Sequence, residues 1–148
     1  MYSKILVPYD GSSFSEKAVE HATYLAKLAG ANLLLVNATV LPALVYTYHE
    51  AVNAAINEVA QALTFSSGEA VKSLSILTEK IRKQGISASY KHAVGDPAEL
   101  IIATAEAEKV DLIVMGSKGL QGLSKIRALG SVTRKVAESV GCPVLIVH

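Results

Sequence analysis

Three short polar segments of this sequence could do chemistry. Asp10-Gly11-Ser12 follows the apolar run Ile5-Leu6-Val7, Gly116-Ser117-Lys118-Gly119 follows Leu112 to Met115, and Gly130-Ser131-Val132-Thr133 opens a helical stretch. Glycine lets the backbone approach a ligand closely, and the first N–H groups of a helix are unpaired donors at the positive end of its dipole. Segments of this kind suit a phosphate. Lys118, Lys125 and Arg127 lie in the stretch that joins the last two. Five basic residues and no acid fall between Leu112 and Ala137, against nine basic and thirteen acidic residues elsewhere. A cationic, glycine-bearing stretch on an otherwise acidic chain points to a small anionic ligand. The same residues also fit a solvated basic loop, and Gly-x-x-Gly alone fits an ordinary β–α turn. Neither a Walker A loop nor Gly-x-Gly-x-x-Gly is present.

Other reactive residues fit bland roles better. His21, His49, His92 and His148 lack metal-ligand spacing and read as surface or helix-face residues. The single cysteine, Cys142, precedes a proline at a strand start and reads as an inert thiol. Asp10 sits at a strand's carboxyl end beside the phosphate-suited loop. It suits a ribose or Mg²⁺ contact better than a general base, since no partner base is indicated. Asp111 starts a strand at the opposite end and reads as structural. Tyr46, Tyr48 and His49 cover the pocket, meet a partner, or form a plain surface loop.

The elements that must position these segments alternate along the chain. Ile5–Val7 reads as a buried strand. Ser13 and Glu16 form a capping box for a helix that ends at Gly30. Leu33 to Ala38 is a second strand. A helical, alanine-rich pattern runs from about Glu50 to Lys83, with a break expected near Ser66-Ser67-Gly68 unless one end projects. Ile86, Ala88, Tyr90, His92 and Val94 alternate with polar residues, which marks a half-exposed edge strand. Asp96, Pro97 and Glu99 start a helix as N-cap, first residue and box partner. Residues 111–115 and 142–147 are strands, with a helix from Gly130-Ser131 to Gly141 between them. The pattern is βαβαβαβαβ: an α/β fold, a doubly wound parallel sheet with helices on both faces. Its 148 residues fit one domain, 1–148. Ligands of such sheets bind beyond the strands' carboxyl ends where strand order reverses.

Five segments in order, Ile5–Ser12, Gly95-Asp96-Pro97, Asp111–Gly119, Gly130–Thr133 and Cys142–Val147, resemble the universal stress protein family over essentially the whole chain. The resemblance implies a five-stranded sheet in order 3-2-1-4-5, a homodimer through the C-terminal strand, and membership of the ATP-binding branch, with signature Gly-x2-Gly-x9-Gly-Ser/Thr. By position, Pro8, Tyr9 and Asp10 would border adenosine, with Asp10 near the ribose, and Ala38 would meet adenine through its backbone. Met115 and Gly116 would floor the site. Lys118 would lie in the phosphate loop, while Gly119, Gly130, Ser131, Val132 and Thr133 would hold the phosphates of ATP, with any Mg²⁺ or Mn²⁺ carried on them. Ten residues rather than nine separate Gly119 from Gly130. Tyr9 stands where the family often has threonine or valine, so a narrower pocket mouth is expected.

Composition bounds the function. With 51% apolar and 18% charged residues, a net charge of +1 and no bilayer-length apolar run, the chain reads as a globular cytoplasmic protein, with neither nucleic acid nor membrane as partner. The expected function is ATP binding as a ligand by a nucleotide-responsive stress regulator with an unknown protein partner. No constellation for efficient hydrolysis is present, so the chain is expected not to be an enzyme beyond very slow turnover. The rivals are a non-nucleotide interaction module of the same fold and a slow ATPase.

Overall fold

The computed structural model describes residues 1–40, 52–119 and 128–148. Tyr46, Tyr48, His49, Lys125, Arg127 and most of the lengthened loop lie outside the described residues. The elements are β1 (Lys4–Pro8), α1 (Ser13–Ala29), β2 (Asn32–Thr39), α2 (Val52–Arg82), β3 (Ala88–Val94), α3 (Pro97–Ala107), β4 (Leu112–Gly116), α4 (Ser131–Ser139) and β5 (Val144–Val147). The strands form one parallel sheet in the expected order, β3-β2-β1-β4-β5.

Both faces of this sheet are buried, which is why its central strands are continuous apolar runs rather than alternating ones. Ile5, Val7, Leu33, Leu35 and Val114 face α1 and α2 through Ala18, Ala22, Leu74 and Ile81. Leu6, Leu34, Val36, Ile113 and Met115 pack on the other side with Ala98, Ile101 and Val136. Lys4 at the start of β1 and Lys91 in the middle of β3 both pair with Glu108, just past the end of α3, at the surface. The hydrogen bonds from Lys91 and Lys4 hold the Glu108 carboxyl at about 2, far below its usual range.

Several local expectations need correction. Ser12, not Ser13, caps α1: its side chain accepts from the Ser15 N–H at 3.1 Å. Asp96 caps α3 as expected, accepting from the Glu99 N–H at 2.8 Å. The Glu99 carboxylate, however, pairs with Lys135 at 2.5 Å instead of closing the box. Helix α2 runs unbroken through Ser66, Ser67 and Gly68. A glycine costs only about 1 kcal/mol in a helix interior, and Leu74, Thr78 and Ile81 bind the following turns to the body. β5 begins at Val144, since Pro143 contributes only its carbonyl, to the Ile113 N–H at 3.0 Å. β3 is the half-exposed edge strand that the alternation marks: Ile86 and Ala88 are buried, Tyr90 and Val94 are exposed and His92 is half-buried. An edge strand has a strand neighbour on one side only, and its outer side chains meet solvent.

Candidate functional site

Strand order reverses between β1 and β4, and these two strands part at their carboxyl ends. Their ladder covers only Ile5↔Leu112 and Leu6↔Ile113, whereas β1 pairs with β2 as far as Pro8↔Val36 and β4 with β5 as far as Gly116↔Val147. Proline supplies part of the reason. The Lys4 carbonyl accepts from the Asp111 N–H, on the β4 side, and the Tyr9 N–H donates to the Val36 carbonyl, on the β2 side. Alternation along the strand turns position 8 toward β4, and Pro8 has no N–H to offer there.

The sequence-selected loops meet at this opening. Gly11 turns the chain after β1 with φ +80°, a conformation that favours glycine. Asp10 Oδ1 accepts from the Ser12 N–H at 3.0 Å, which fixes the carboxylate on its own turn. A Cβ added to Gly119 would lie 2.7 Å from Asp10 Oδ2, so the two loops touch where Gly119 has no side chain. Gly130 is stitched to the same place by its N–H, which donates to the Ser117 carbonyl at 2.8 Å, while the Ser117 N–H donates to the Val147 carbonyl at 2.8 Å. Asp10, Lys118, Gly119 and Gly130 therefore meet at one crevice, while Gly116 is buried beneath Phe14 at the end of β4.

The mouth of α4 opens there. Gly130 is its N-cap and has no side chain to bond, and the first helical bond runs from the Arg134 N–H to the Gly130 carbonyl at 3.0 Å. The N–H groups of Ser131, Val132 and Thr133 thus have no partner within the helix. Side chains of this segment have other work. Val132 packs on the core, and buried Thr133 donates its hydroxyl to the Gly116 carbonyl at 2.9 Å. Only backbone donors of these two residues face the mouth. Exposed Ser131 keeps its hydroxyl at the surface. Met115 is buried under the crevice among core residues, and Ala38 is half-buried at the end of β2. Ser117 is buried, and its hydroxyl has no hydrogen-bond partner among the described residues.

The Tyr9 side chain turns away from the Asp10–Gly119 loops. Its phenol packs against the core beneath α1 and α2 and lines a cleft of about 540 Å³ with Glu16, Val19, Tyr24, Lys80 and Ile81. Burial, then Glu16 and Asp10, push its pKa up. The phenol belongs to that cleft, and no narrowing of the Asp10–Gly119 crevice follows from it. Part of the expected positive charge is also committed, since Lys135 pairs with Glu99 and approaches Asp96 at 3.9 Å. Asp111 is structural: it accepts from the Ser3 N–H and hydroxyl at 2.8 and 2.7 Å. Burial raises its pKa, but these bonds outweigh it and leave the carboxyl below its usual range. Burial pushes the Cys142 thiol up, away from thiolate chemistry.

Sequence reading missed a polar network at the neighbouring strand ends. Asn37 Nδ2 donates to the Tyr9 carbonyl at 2.8 Å, Asn37 Oδ1 lies 3.0 Å from His92 Nδ1, and Thr39 Oγ1 lies 3.5 Å from His92 Nε2. The available signal was an asparagine directly after the apolar run Leu33–Val36.

A doubly wound sheet with glycine loops and a helix mouth at its switch point defines a class of ligand-binding α/β proteins. Within that class the chain matches the universal stress protein family over residues 1–148, and it belongs to that family. It is 37% identical to the universal stress protein YxiE of Bacillus subtilis, with both chains covered completely. Among solved structures it is similar to protein MJ0577 of Methanocaldococcus jannaschii, with 30% identity, TM-score 0.85, and 99% and 96% of the two chains covered. It is also similar to a universal stress protein solved in complex with cAMP, with 28% identity, TM-score 0.64, and 99% and 97% covered.

Proposed function

We propose that this chain binds an adenine nucleotide, ATP in the first place, as a ligand and acts in the cytoplasm as a nucleotide-responsive regulator of the stress response. The observation that carries the reading is the convergence of Asp10, Gly119 and the Gly130-capped mouth of α4 where β1 and β4 part. A phosphate there would meet the unspent N–H groups of Ser131, Val132 and Thr133, and the β2 end would border the base. The relative solved with cAMP supports the ligand class. Among the described residues no cluster of three His, Cys, Asp or Glu could hold a metal, so a Mg²⁺ or Mn²⁺ would ride on the phosphates. Asp10 is the carboxylate at the crevice, and one of its oxygens is already bonded to its own turn. Donors that bind ground and transition states alike do not accelerate hydrolysis.

Acid extraction of natively purified protein should release adenine nucleotide, and added ATP should turn over far below about 10 s⁻¹, the median enzyme rate. Protein that is bare on extraction and gives no binding heat with ATP overturns the ligand reading in favour of an interaction module. Rapid phosphate release that Asp10→Ala abolishes would show an enzyme instead.

A homodimer belongs to the same proposal. β5 is an edge strand of Val144, Leu145, Ile146 and Val147, with Leu145 38% exposed. An unpaired apolar edge invites pairing, and its own two-fold copy is an isologous solution. Light scattering at micromolar concentration should give twice 15.6 kDa, and Leu145→Lys should shift it toward the monomer. A monomeric parent chain would refute the dimer.

A further inference from the structure

We infer that Asn37, held by His92, is a positioning residue that ends the β1–β2 ladder early and so delivers the backbone N–H of Ala38 to the base of the nucleotide. The inference rests on the adenine-nucleotide reading above and concerns its adenosine half. The ladder geometry carries it. In a parallel pair, a residue whose N–H donates to position j−1 of the neighbour accepts at its carbonyl from position j+1. The Tyr9 N–H donates to the Val36 carbonyl at 2.8 Å, so a continued ladder would bring the Ala38 N–H to the Tyr9 carbonyl. The Asn37 side chain takes that carbonyl instead, at 2.8 Å. Even-numbered N–H groups of β2 face β1, as the Asn32 N–H does in donating to the Ser3 carbonyl. The Ala38 N–H therefore points beyond the end of β1, and its carbonyl shares that side. This donor–acceptor pair matches the ring nitrogen and amino group on one edge of adenine.

His92 holds the amide in the direction that the Tyr9 carbonyl sets. The Tyr9 carbonyl only accepts, so Asn37 must present its NH₂ there and its oxygen to His92. Asn37 Oδ1 then requires a proton on His92 Nδ1, at 3.0 Å. In neutral His92 this leaves Nε2 as an acceptor facing the Thr39 hydroxyl. Asn37 and His92 are paired in register across β2 and β3, so both side chains stand on one face of the sheet. Without the Asn37 amide, the Ala38 N–H is free to bond the Tyr9 carbonyl, which extends the ladder and consumes the donor.

The test separates the two halves of the ligand. Calorimetric titrations of the parent chain and Asn37→Leu would use ATP, adenosine and inorganic tripolyphosphate. The variant should bind ATP and adenosine about ten-fold more weakly, the scale of one buried hydrogen bond, and tripolyphosphate as the parent does. Nitrogen NMR of the parent chain should show neutral His92 protonated at Nδ1, a readout independent of any variant's folding. A parent chain that binds no ATP sinks the adenine reading and this inference with it. A parent that binds ATP, beside a variant that binds it equally or loses tripolyphosphate in the same proportion, overturns this inference alone. Protonation at Nε2 instead also overturns it.

Discussion

Gly116→Ala should destabilise the protein by about 3 kcal/mol, the upper range for overpacking a closed core. Gly116 ends β4 under the N-terminal turn of α1. A Cβ there would stand 2.7 Å from Phe14 Cβ, 2.8 Å from the Phe14 carbonyl carbon and 2.9 Å from its oxygen. Two of those atoms are backbone, so no rotamer change relieves the contact, and α1 itself must lift from the sheet. Lifting it would pull on Ser12, whose cap starts the helix, and on Val19 and Ala22, which are buried against the strands. Gly68→Ala is the matched control. That glycine lies inside α2 with nothing within 4 Å of an added Cβ, so alanine should stabilise by about 0.5–1 kcal/mol through helix propensity. Urea denaturation of both variants measures the pair. Equal stabilities would mean that α1 does not rest on Gly116.

The same contrast marks what the sequence made legible. The alternation of apolar runs and capped helices gives the strand order only through the family resemblance, but it gives the elements directly. Asp96, Pro97 and Gly30 start and stop helices through local chemistry, and each stands at the expected terminus. The cap of α1 lies one residue before the expected Ser13, because neighbouring Ser12 carries the same capping side chain. Glycine and a strand end are local signals that mark Asp10, Gly119 and Gly130 one by one, and their gathering was legible through the resemblance, which sets β1 beside β4. The Asn37–His92 pairing was not. It joins residues 55 positions apart whose contact exists only through the register of β2 on β3. Nor could the sequence show that Thr133 spends its hydroxyl on the Gly116 carbonyl, since that bond depends on where α4 lands. A motif names a segment, and the fold decides which of its atoms remain for a ligand.

Gly130→Val should weaken ATP binding about 100-fold, roughly 2.7 kcal/mol, whereas Ser131→Ala should cost about 1 kcal/mol or less. The reason is not backbone strain, because Gly130 has an ordinary φ of −62°. It is crowding. An added Cβ would already sit 3.4 Å from Lys118 Cα, 3.5 Å from the Ser117 carbonyl oxygen and 3.8 Å from the Gly119 nitrogen. Alanine fits at those distances, so Gly130→Ala should fold as the parent does. Valine adds two methyl groups beyond that point. One direction drives them into the Ser117–Gly119 backbone, and the other fills the mouth of α4, where Ser131, Val132 and Thr133 present their N–H groups. Either outcome moves donors away from a phosphate by more than a hydrogen bond tolerates. Ser131 is exposed at the first helical position while Gly130 occupies the cap. Its hydroxyl is one added contact, and its N–H survives substitution by alanine. Calorimetric titration with ATP, beside circular dichroism and melting of each variant, decides the matter. A folded Gly130→Val that binds ATP as tightly as the parent chain would place the phosphates elsewhere than at the mouth of α4.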